Sequence, residues 1–217
     1  MKIINIGEQN SVLNTYIAEI RDKKIQKDSM RFRNNLRRIG ELFAYEISKS
    51  LVYSQKEVIT PLGISNCSTQ DDQIVIASIM RAGLPVHEGI LNIFDKADNA
   101  FIAAYRKYSK DNKFTIQVEY ASAPSLEGRV LIMADTMLAT GSSIVLAHKK
   151  ISESAEPLHT HIIAPIASAE GVGYLSKHLS HKKTTLWVGA IDEELTIKSY
   201  IVPGLGDAGD LAYGSKL

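Results

Sequence analysis

One acidic residue and a short run of small polar residues form the first feature of this sequence that could do chemistry. Asp135 ends an apolar run, Val130–Ala134, and residues 140–143 (Thr-Gly-Ser-Ser) lead into a helical pattern from Ile144. The apolar run predicts a buried strand. A loop that enters a helix offers unbonded backbone N–H groups and the positive end of a helix dipole, which favour a phosphate. Asp135 repels a phosphate and would instead hold sugar hydroxyls or the shell of a metal ion, so the pattern predicts a site for a phosphorylated sugar.

A purely structural explanation of this loop stays open at this point, because Thr140 or Ser142 could simply cap the helix. No Gly-Lys-Ser/Thr sequence is present, so the loop is not the P-loop of nucleotide triphosphatases. The choice between a phosphate site and a plain helix cap therefore depends on the elements that position the loop.

Apolar runs alternate with helical patterns from residue 73 onward, which predicts an α/β fold: a parallel sheet with helices on both faces. Residues 114–121 alternate and carry polar positions, which predicts an exposed two-stranded flap rather than a central strand, and a flap over 107–125 is our expected lid. The expected strands are Gln73–Ile79, Asn99–Ala104, Val130–Ala134, His161–Ile166 and Thr185–Ala190, and the expected helices are Pro85–Phe94, Ser142–Ser152 and Ala169–Leu179.

The N-terminal quarter predicts two helices, over 11–27 and 28–51, with Asp28 or Ser29 as the cap of the second. Apolar residues of the second recur at helical spacing (Leu36, Ile39, Phe43 and Ile47), and its arginines lie largely on other faces. We interpret those arginines (Arg31, Arg33, Arg37 and Arg38) as a solvated or subunit-packing face. We expect one domain over 1–217, with an N-terminal helical region over residues 1–55, a core over 70–192 and a tail over 193–217.

Charged residues follow several of the predicted strands. Arg81, Arg106, Asp135 and Asp192 each come after a different strand, and ligands of such sheets bind outside the carboxyl ends of the strands. The two arginines suit a pyrophosphate, because a planar guanidinium can donate paired hydrogen bonds to it.

The tail holds a glycine-rich run, residues 203–210 (PGLGDAGD), which formally matches Gly-x-Gly-x-x-Gly. Only eight residues follow Gly209, so no dinucleotide-binding βαβ unit can form around it. Either the run brings backbone groups close to a flat ligand, or it is a plain terminal turn.

Composition narrows the function classes. The chain is 45% hydrophobic with a net charge of +1, which argues against a nucleic-acid partner. No apolar stretch approaches the ~20 residues of a membrane span, and the first ten residues lack the apolar centre of a signal peptide. We therefore expect a cytoplasmic protein without a membrane partner.

Other reactive side chains give weaker signals. Cys67 is the only cysteine, which excludes an internal disulfide and predicts a packing residue. His159, His161, His178 and His181 lack a convincing zinc spacing and are interpreted as surface histidines. Trp187 lies within a predicted strand and is expected in the core.

Four stretches in one order resemble the type I phosphoribosyltransferases, in the form found in uracil phosphoribosyltransferases. DTMLATGSS resembles their phosphoribosyl-pyrophosphate loop, IMRAGLPVHEGIL and AAYRK their two arginine loops, and YIVPGLGDAGD their uracil-binding tail. FRNNLRRIGELFAYEISKSL and ITPLG are also similar to their N-terminal region, so the resemblance covers nearly the whole chain.

The resemblance implies phosphoribosyl transfer from phosphoribosyl pyrophosphate (PRPP) to uracil, giving UMP and pyrophosphate in pyrimidine salvage. It implies Mg²⁺ carried by PRPP rather than bound directly by the protein, a homodimer or higher oligomer built through the N-terminal helices, and GTP as an effector in some members of the family. The implied catalytic residues are Arg81, Arg106 and Asp207. Those that would bind uracil are Ile201, Gly206, Asp207 and Ala208. Those that would bind PRPP are Arg81, Arg106, Asp135, Thr136, Met137, Leu138, Ala139, Thr140, Gly141, Ser142, Ser143 and Asp207.

The sequence departs from the family pattern in four places. Thr136 stands where Pro is usual, Ser142 stands where Gly is usual, and Pro85–His87 replaces a Gly-Met type of continuation after the first arginine. EELTIKSY, before the tail, also lacks the usual Asn and Gly. These departures leave base specificity and allosteric control open.

Two alternative functions remain at this stage. One is a regulator of the same fold that binds uridine nucleotides and RNA, for which only the arginines of 31–38 offer a basic face. The other is an enzyme of the same fold that acts on another nucleobase, such as a purine.

Overall fold

The computed structural model of the chain describes the backbone of residues 1–108 and 114–215 and the side chains of residues 1–104 and 118–215. Six helices lie in these ranges: α1 (Val12–Arg21), α2 (Ser29–Ser48), α3 (Gly83–Ile93), α4 (Ser142–Ile151), α5 (Ala169–His178) and α6 (Ala208–Tyr213). The strands are β1 (Lys2–Asn5), β2 (Tyr53–Thr60), β3 (Gly63–Gln70), β4 (Ile74–Met80), β5 (Asp98–Tyr108), β6 (Phe114–Ser122), β7 (Val130–Ala134), β8 (Met137–Leu138), β9 (His159–Ser168), β10 (Thr184–Asp192), β11 (Glu194–Leu195) and β12 (Ile201–Val202).

The main sheet has the strand order β1-β10-β9-β7-β4-β5-β6, and β8 pairs with β9. All of these pairs are parallel except β5 with β6. The predicted parallel sheet is therefore confirmed, with each predicted strand found within a few residues of its expected bounds. Sequence reasoning worked here because strands covered by helices on both faces are apolar throughout, as in VLIMA of β7, which is fully buried.

Helices cover both faces of this sheet. One apolar cluster joins the sheet to α1, α2, α3 and α6, and a second joins it to α4 and α5. The four apolar positions predicted for α2 are fully buried in the first cluster: Leu36, Ile39, Phe43 and Ile47. Trp187, 4% exposed, lies in the same cluster, which confirms its predicted place in the core.

The N-terminal elements agree with the expected helices but differ in their bounds. α1 ends at Arg21, and a short 3₁₀ turn, Ile25–Lys27, fills the rest of the predicted first helix. Asp28 caps α2 by accepting the backbone N–H of Arg31 at 3.0 Å, so the first of the two predicted caps is the one used. The expected helical region, 1–55, also contains β1, which belongs to the edge of the main sheet.

β2 and β3 form a separate antiparallel hairpin that the sequence did not predict. Its tip is the Pro61–Leu62 turn, and several of its apolar side chains are exposed, with Ile59 88% and Leu62 100% accessible. Neither face of the hairpin lies in the core, so its two strands mix polar and apolar residues. The alternation of apolar and polar residues that identifies a half-buried strand is therefore missing.

The predicted flap is the edge of the main sheet. β6 pairs antiparallel with β5 along the edge opposite β1, so it is not a central strand, as expected. Residues 109–113, which belong to the expected lid, lie outside the described residues.

The interpretation of all four histidines as surface residues is wrong for His161. Its side chain is buried, and its Nδ1 accepts the indole N–H of Trp187 at 3.0 Å. Burial, followed by the neighbouring His159, lowers the pKa of His161 to about 3, so it is a neutral acceptor within the core. Across the described ranges, no group of three or more His, Cys, Asp and Glu side chains is placed to hold a metal ion.

A membrane-spanning helix is not found: none of the helices in the described ranges of the chain combines the length and the apolar character that a crossing needs.

Candidate functional site

A cleft of about 1070 Å³ opens at the carboxyl ends of β4, β5 and β7. The loop after β7, the loop after β4 and the C-terminal tail all border it. The predicted site residues that line it are Arg81, Asp135, Thr136, Met137, Leu138, Ala139, Thr140, Gly141, Ser143, Ile201, Gly206, Asp207 and Ala208. Segments far apart in the sequence thus meet at one edge of the sheet.

The loop after β7 enters α4 through a left-handed residue. Gly141 has φ 78° and is the N-cap of α4, so neither Thr140 nor Ser142 is the cap that the purely structural explanation considered. Glycine has no side chain to occupy the first N–H groups of the helix, and Gly141, Ser143 and Ile144 line the cleft, so this helix start is a candidate anion site. The hydroxyls of Thr140 and Ser142 lie 2.8 Å apart and are engaged with each other.

Ser142, which replaces the family's usual glycine, does not disturb this turn. It is the first residue of α4. Its φ is not positive: among the described residues, Ser199 is the one non-glycine residue with a positive φ. A side chain is therefore tolerated at 142, and the left-handed conformation falls on Gly141. The hydroxyl of Ser142 faces Thr140 instead of lining the cleft.

α5 and β9 fix the outer side of the loop. β8 pairs with β9, and the hydroxyl of Ser168 donates to the carbonyl of Ala139 at 2.5 Å while accepting the N–H of Gly171 at 2.9 Å. A Cβ at Gly171 would meet the carbonyl oxygen of Leu138 at 2.9 Å. This close packing sets the path of the loop before it reaches Gly141.

Thr136 ties this loop to the loop after β4. Its side chain is fully buried, and its hydroxyl donates to the carbonyl of Ala82 at 2.6 Å. Ala82 directly follows Arg81, so the residue that departs from the family's proline forms a link between two segments of the cleft. A proline at this position could not make that bond, because it has no hydroxyl.

Asp135 is half-buried at the floor of the cleft. Burial raises the pKa of its carboxyl to about 7, although the backbone N–H groups of Thr136 and Met137 oppose the rise by donating to it. In the unliganded protein this carboxyl therefore ionises near neutral pH.

The raised pKa predicts a stability effect of Asp135→Asn that depends on pH. Between about pH 4 and pH 7 the unfolded chain has released this proton and the folded protein has not, so the wild type loses stability as pH rises through that window. Asparagine does not ionise. We expect the Tm of the variant minus that of the wild type to rise by several degrees from pH 4.5 to pH 8, measured by calorimetry without ligands. A constant difference would contradict the raised pKa.

Arg81 lies on the cleft wall and is held by the tail. Its guanidinium donates to the Asp210 carboxylate at 2.9 Å and to the Gly214 carbonyl at 3.1 Å. Its side chain is 34% exposed, so it still borders the open space. Arg106 lies on β5, but its side chain is outside the described residues.

The tail places backbone groups on the opposite wall. Asp207 caps α6 by accepting the N–H of Asp210 at 3.0 Å, and Gly206 before it has φ 95°. Ile201 and Ala208 are both buried in the core cluster, which anchors the tail on each side of the turn. The glycine-rich run is therefore a shaped wall of the cleft and not a loose terminal turn.

Two features that the sequence singled out, Asp192 and Pro85–His87, lie outside the cleft. Asp192 does not line it but forms an ion pair with Arg21 of α1. Pro85–His87 is buried within α3, which packs on α2, so this departure does not touch the cleft.

The sequence missed Glu119 on β6 and the pair Ser199–Tyr200 of the tail, all of which line the cleft. Glu119 could have been found from the pairing of 114–121 with the strand of the second arginine. Ser199 and Tyr200 lie in the turn between β11 and β12. Tyr200 opens the YIVPGLGDAGD motif but was not among the predicted site residues, and Ser199 carried no motif.

Comparisons with known proteins show the family of the chain. The family model described as uracil phosphoribosyltransferase matches residues 7–215. A uracil phosphoribosyltransferase of Porphyromonas gingivalis is 49% identical over 217 residues, covering all of both chains. A solved protein from Aquifex aeolicus is 29% identical, with a TM-score of 0.86 over 98% of each chain.

A more distant structure shows the fold alone. A hypoxanthine phosphoribosyltransferase from Staphylococcus aureus has a TM-score of 0.50 at 11% identity, covering 75% of this chain and 76% of its own. The cleft, the two loops and the tail thus occur on the type I phosphoribosyltransferase fold, and the match of the family model extends over nearly the entire sequence. The chain belongs to the uracil phosphoribosyltransferase family.

Proposed function

We propose that the cleft transfers the phosphoribosyl group of PRPP to uracil, giving UMP and pyrophosphate, a reaction of pyrimidine salvage. The observation that carries this function is the meeting of two walls in one cleft. One wall is an anion site at the start of α4 with an acid beside it, and the other is a tail of tightly turned backbone. The first suits a phosphorylated sugar, and the second suits the edge of a flat base.

Each group of residues has a distinct proposed role. The N–H groups after Gly141 bind the 5-phosphate, and Asp135 accepts hydrogen bonds from the ribose hydroxyls. Arg81 and Arg106 hold the pyrophosphate. Ile201 and residues 206–208 contact uracil, with Asp207 also touching PRPP. These roles follow from the family pattern and from the place of each described residue on the cleft wall.

In the reaction the C1–O bond to pyrophosphate breaks, a C1–N1 bond to uracil forms, and the N1 proton is released. Negative charge grows on the pyrophosphate as its bond breaks, so fixed arginines at that end stabilise the transition state. Backbone N–H groups of the tail stabilise the negative charge that develops on the uracil carbonyl oxygens. Cytosine is rejected because a backbone N–H opposite O4 would meet its amino group instead.

Magnesium fits this cleft as an ion carried by PRPP. Mg²⁺ usually binds one or two carboxylates together with substrate phosphates and waters. Asp135, Glu119 and Asp207 border the cleft, yet the described residues offer no three-ligand cluster. The ion would neutralise charge on the pyrophosphate, and Asp135 could orient its water shell.

A product assay tests this function directly. The purified protein is incubated with Mg²⁺ and PRPP, and with uracil, cytosine, hypoxanthine or orotate in parallel. We expect UMP from uracil alone, with GTP added in a second series because activation by GTP stays a prediction. A product from hypoxanthine but not uracil would replace the proposal by the other-nucleobase alternative.

The regulator alternative is less well supported. The arginines that would form its RNA face are engaged within the protein by partners on α1, α2, α3 and α6: Arg31 with Glu19, Arg37 with Glu88, Arg38 with Asn35, and Arg33 with the Ala212 carbonyl. Filter binding with pyrimidine-rich RNA separates the two functions.

A cytoplasmic location stays a prediction from the sequence.

We also propose a homodimer or higher oligomer in which the β2–β3 hairpin contacts a second copy. An exposed apolar surface of this kind is typical of an interface, and its tip residues are among the most exposed large apolar side chains. The resemblance places the contact at the N-terminal helices instead. The hairpin is the better candidate because the buried faces of α1 and α2 are used inside the protein.

The double variant Ile59→Glu/Leu62→Glu tests this interface. Both side chains are almost fully exposed in the single chain, so charging them leaves the core untouched. We expect light scattering after size exclusion to show a smaller assembly than the wild type. Leu158→Glu, at a residue that is 57% exposed elsewhere, serves as the control. An unchanged mass for the double variant would exclude the hairpin as the contact.

A further inference from the structure

A partly buried ion pair outside the cleft holds the turn at Gly204, which lies between the predicted uracil-binding residues Ile201 and 206–208. The guanidinium of Arg21, the last residue of α1, donates to both carboxylate oxygens of Asp192 at 2.8 and 2.9 Å. Asp192 is the last residue of β10 and is 8% exposed. This paired geometry is the strongest form of an arginine–carboxylate contact.

The same two side chains satisfy both backbone groups of Gly204. Arg21 donates to the Gly204 carbonyl at 3.0 Å, and Asp192 accepts the Gly204 N–H at 2.9 Å. One residue of the tail is thus held from both sides by charged groups on two other elements. Buried backbone groups need such partners, and here they come from an ion pair.

Gly204 is in direct contact with the predicted uracil-binding segment. It has φ 52°, and a Cβ there would clash with the carbonyl of Ile201. Gly206 follows two residues later with its own left-handed turn. A shift of Gly204 would therefore move Ile201 on one side and the turn of residues 206–208 on the other.

From this geometry we infer that Arg21 and Asp192 are positioning residues for base recognition, fixing the tail turn through Gly204. The inference rests on the proposed function, since it assigns the base-binding wall to that turn. Neither side chain lines the cleft, so they act through the tail and not on the substrate. The anion site lies on a different loop, so the effect should separate the two substrates.

Steady-state kinetics with both substrates varied tests the inference. In Arg21→Met the long apolar side chain replaces the stem of the arginine, but Asp192 and the Gly204 carbonyl lose their donor. We expect the KM for uracil to rise by ~10- to 100-fold, because small misplacements of binding groups have effects of this size. The KM for PRPP should rise much less than that for uracil, because the anion site lies on another loop and Asp207 is the one residue of the tail turn assigned to PRPP.

Asp192→Asn keeps the side-chain shape and removes the charge. It should raise the KM for uracil less than Arg21→Met does, because the amide oxygen can still accept the Gly204 N–H. Arg31→Met is the matched control. Arg31 also donates two hydrogen bonds to one carboxylate, that of Glu19, in the same region of the fold. Its KM for uracil should match that of the wild type.

Uracil KM values within twofold of the wild type in both Arg21→Met and Asp192→Asn would overturn the inference. So would equal rises in both KM values with a lowered Tm, which indicate a purely structural pair. The proposed function is judged separately, by the wild-type protein. If the wild type uses another base, the same ratio of KM values is measured with that base.

Discussion

Gly141→Ala should remove most of the activity with PRPP. Gly141 has φ 78°, where a residue with a Cβ is strained by roughly 1–2 kcal/mol. A Cβ there would also meet the Leu175 side chain at 2.6 Å and the carbonyl of Gly171 at 3.0 Å. The end of the Leu175 side chain can shift, but the left-handed φ and the backbone carbonyl of Gly171 both push the start of α4 away, and this displaces the N–H groups proposed to bind the 5-phosphate. We expect kcat/KM for PRPP to fall about 100-fold.

Gly128→Ala is the control for backbone strain. Gly128 also has a positive φ, 68°, but a Cβ there meets nothing within 4 Å, and the residue lies outside the cleft. We expect the backbone strain to lower the Tm of this variant about as much as that of Gly141→Ala, while its kcat/KM for PRPP stays at the wild-type value. If the two alanine variants lost the same activity, the loop shape at 141 would not matter for PRPP.

Arg81→Ala should reduce kcat by ~10²–10³-fold, because a fixed cation near the leaving pyrophosphate contributes mainly in the transition state. The loss should appear in kcat more than in the KM for uracil, measured under saturating PRPP. Arg81→Lys should recover only a fraction of it, because an ammonium lacks the planar fork that a phosphate accepts in pairs.

The control for Arg81→Ala is Arg129→Ala. Arg129 is also paired with an acid, Asp98, at the end of the sheet away from the cleft. It should keep the wild-type kcat. Because Arg81 also donates to Asp210 and Gly214, the Tm of its variants must be measured. A large loss of Tm with a normal kcat would assign Arg81 to the tail alone.

The elements of the fold that the sequence predicted are those whose burial is complete. The strand before Asp135 is apolar at every position because helices cover both of its faces, and α2 repeats its apolar residues at helical spacing because one face is buried. The β2–β3 hairpin contributes little to the core, so no apolar period identified it. The spacing of apolar residues in a sequence reflects which side chains are buried, so it predicts an element poorly where burial is incomplete.

The site was predicted in its loops but not in its supports. Asp135 and the run to Ser143 carry chemistry in consecutive residues, so a sequence can reveal them. The contacts that hold the site join residues far apart in the chain, such as Thr136 with Ala82 and Arg21 with Asp192. No local spacing encodes these pairs. These pairs depend on the order of the strands in the sheet, and that order cannot be derived from the spacing of residues in a single sequence.

The placement of β1 has a consequence for the order of folding. Its residues pair with β10, with Lys2 opposite Thr185, so the sheet's first strand in sequence lies next to its last long strand. Contacts this distant in sequence form late, because the intervening chain must first be ordered. During synthesis the residues of β1 must wait until those of β10 have emerged. The edge of the sheet beside β10 therefore closes only after β10 has emerged, by pairing with a strand made before all the others of the sheet.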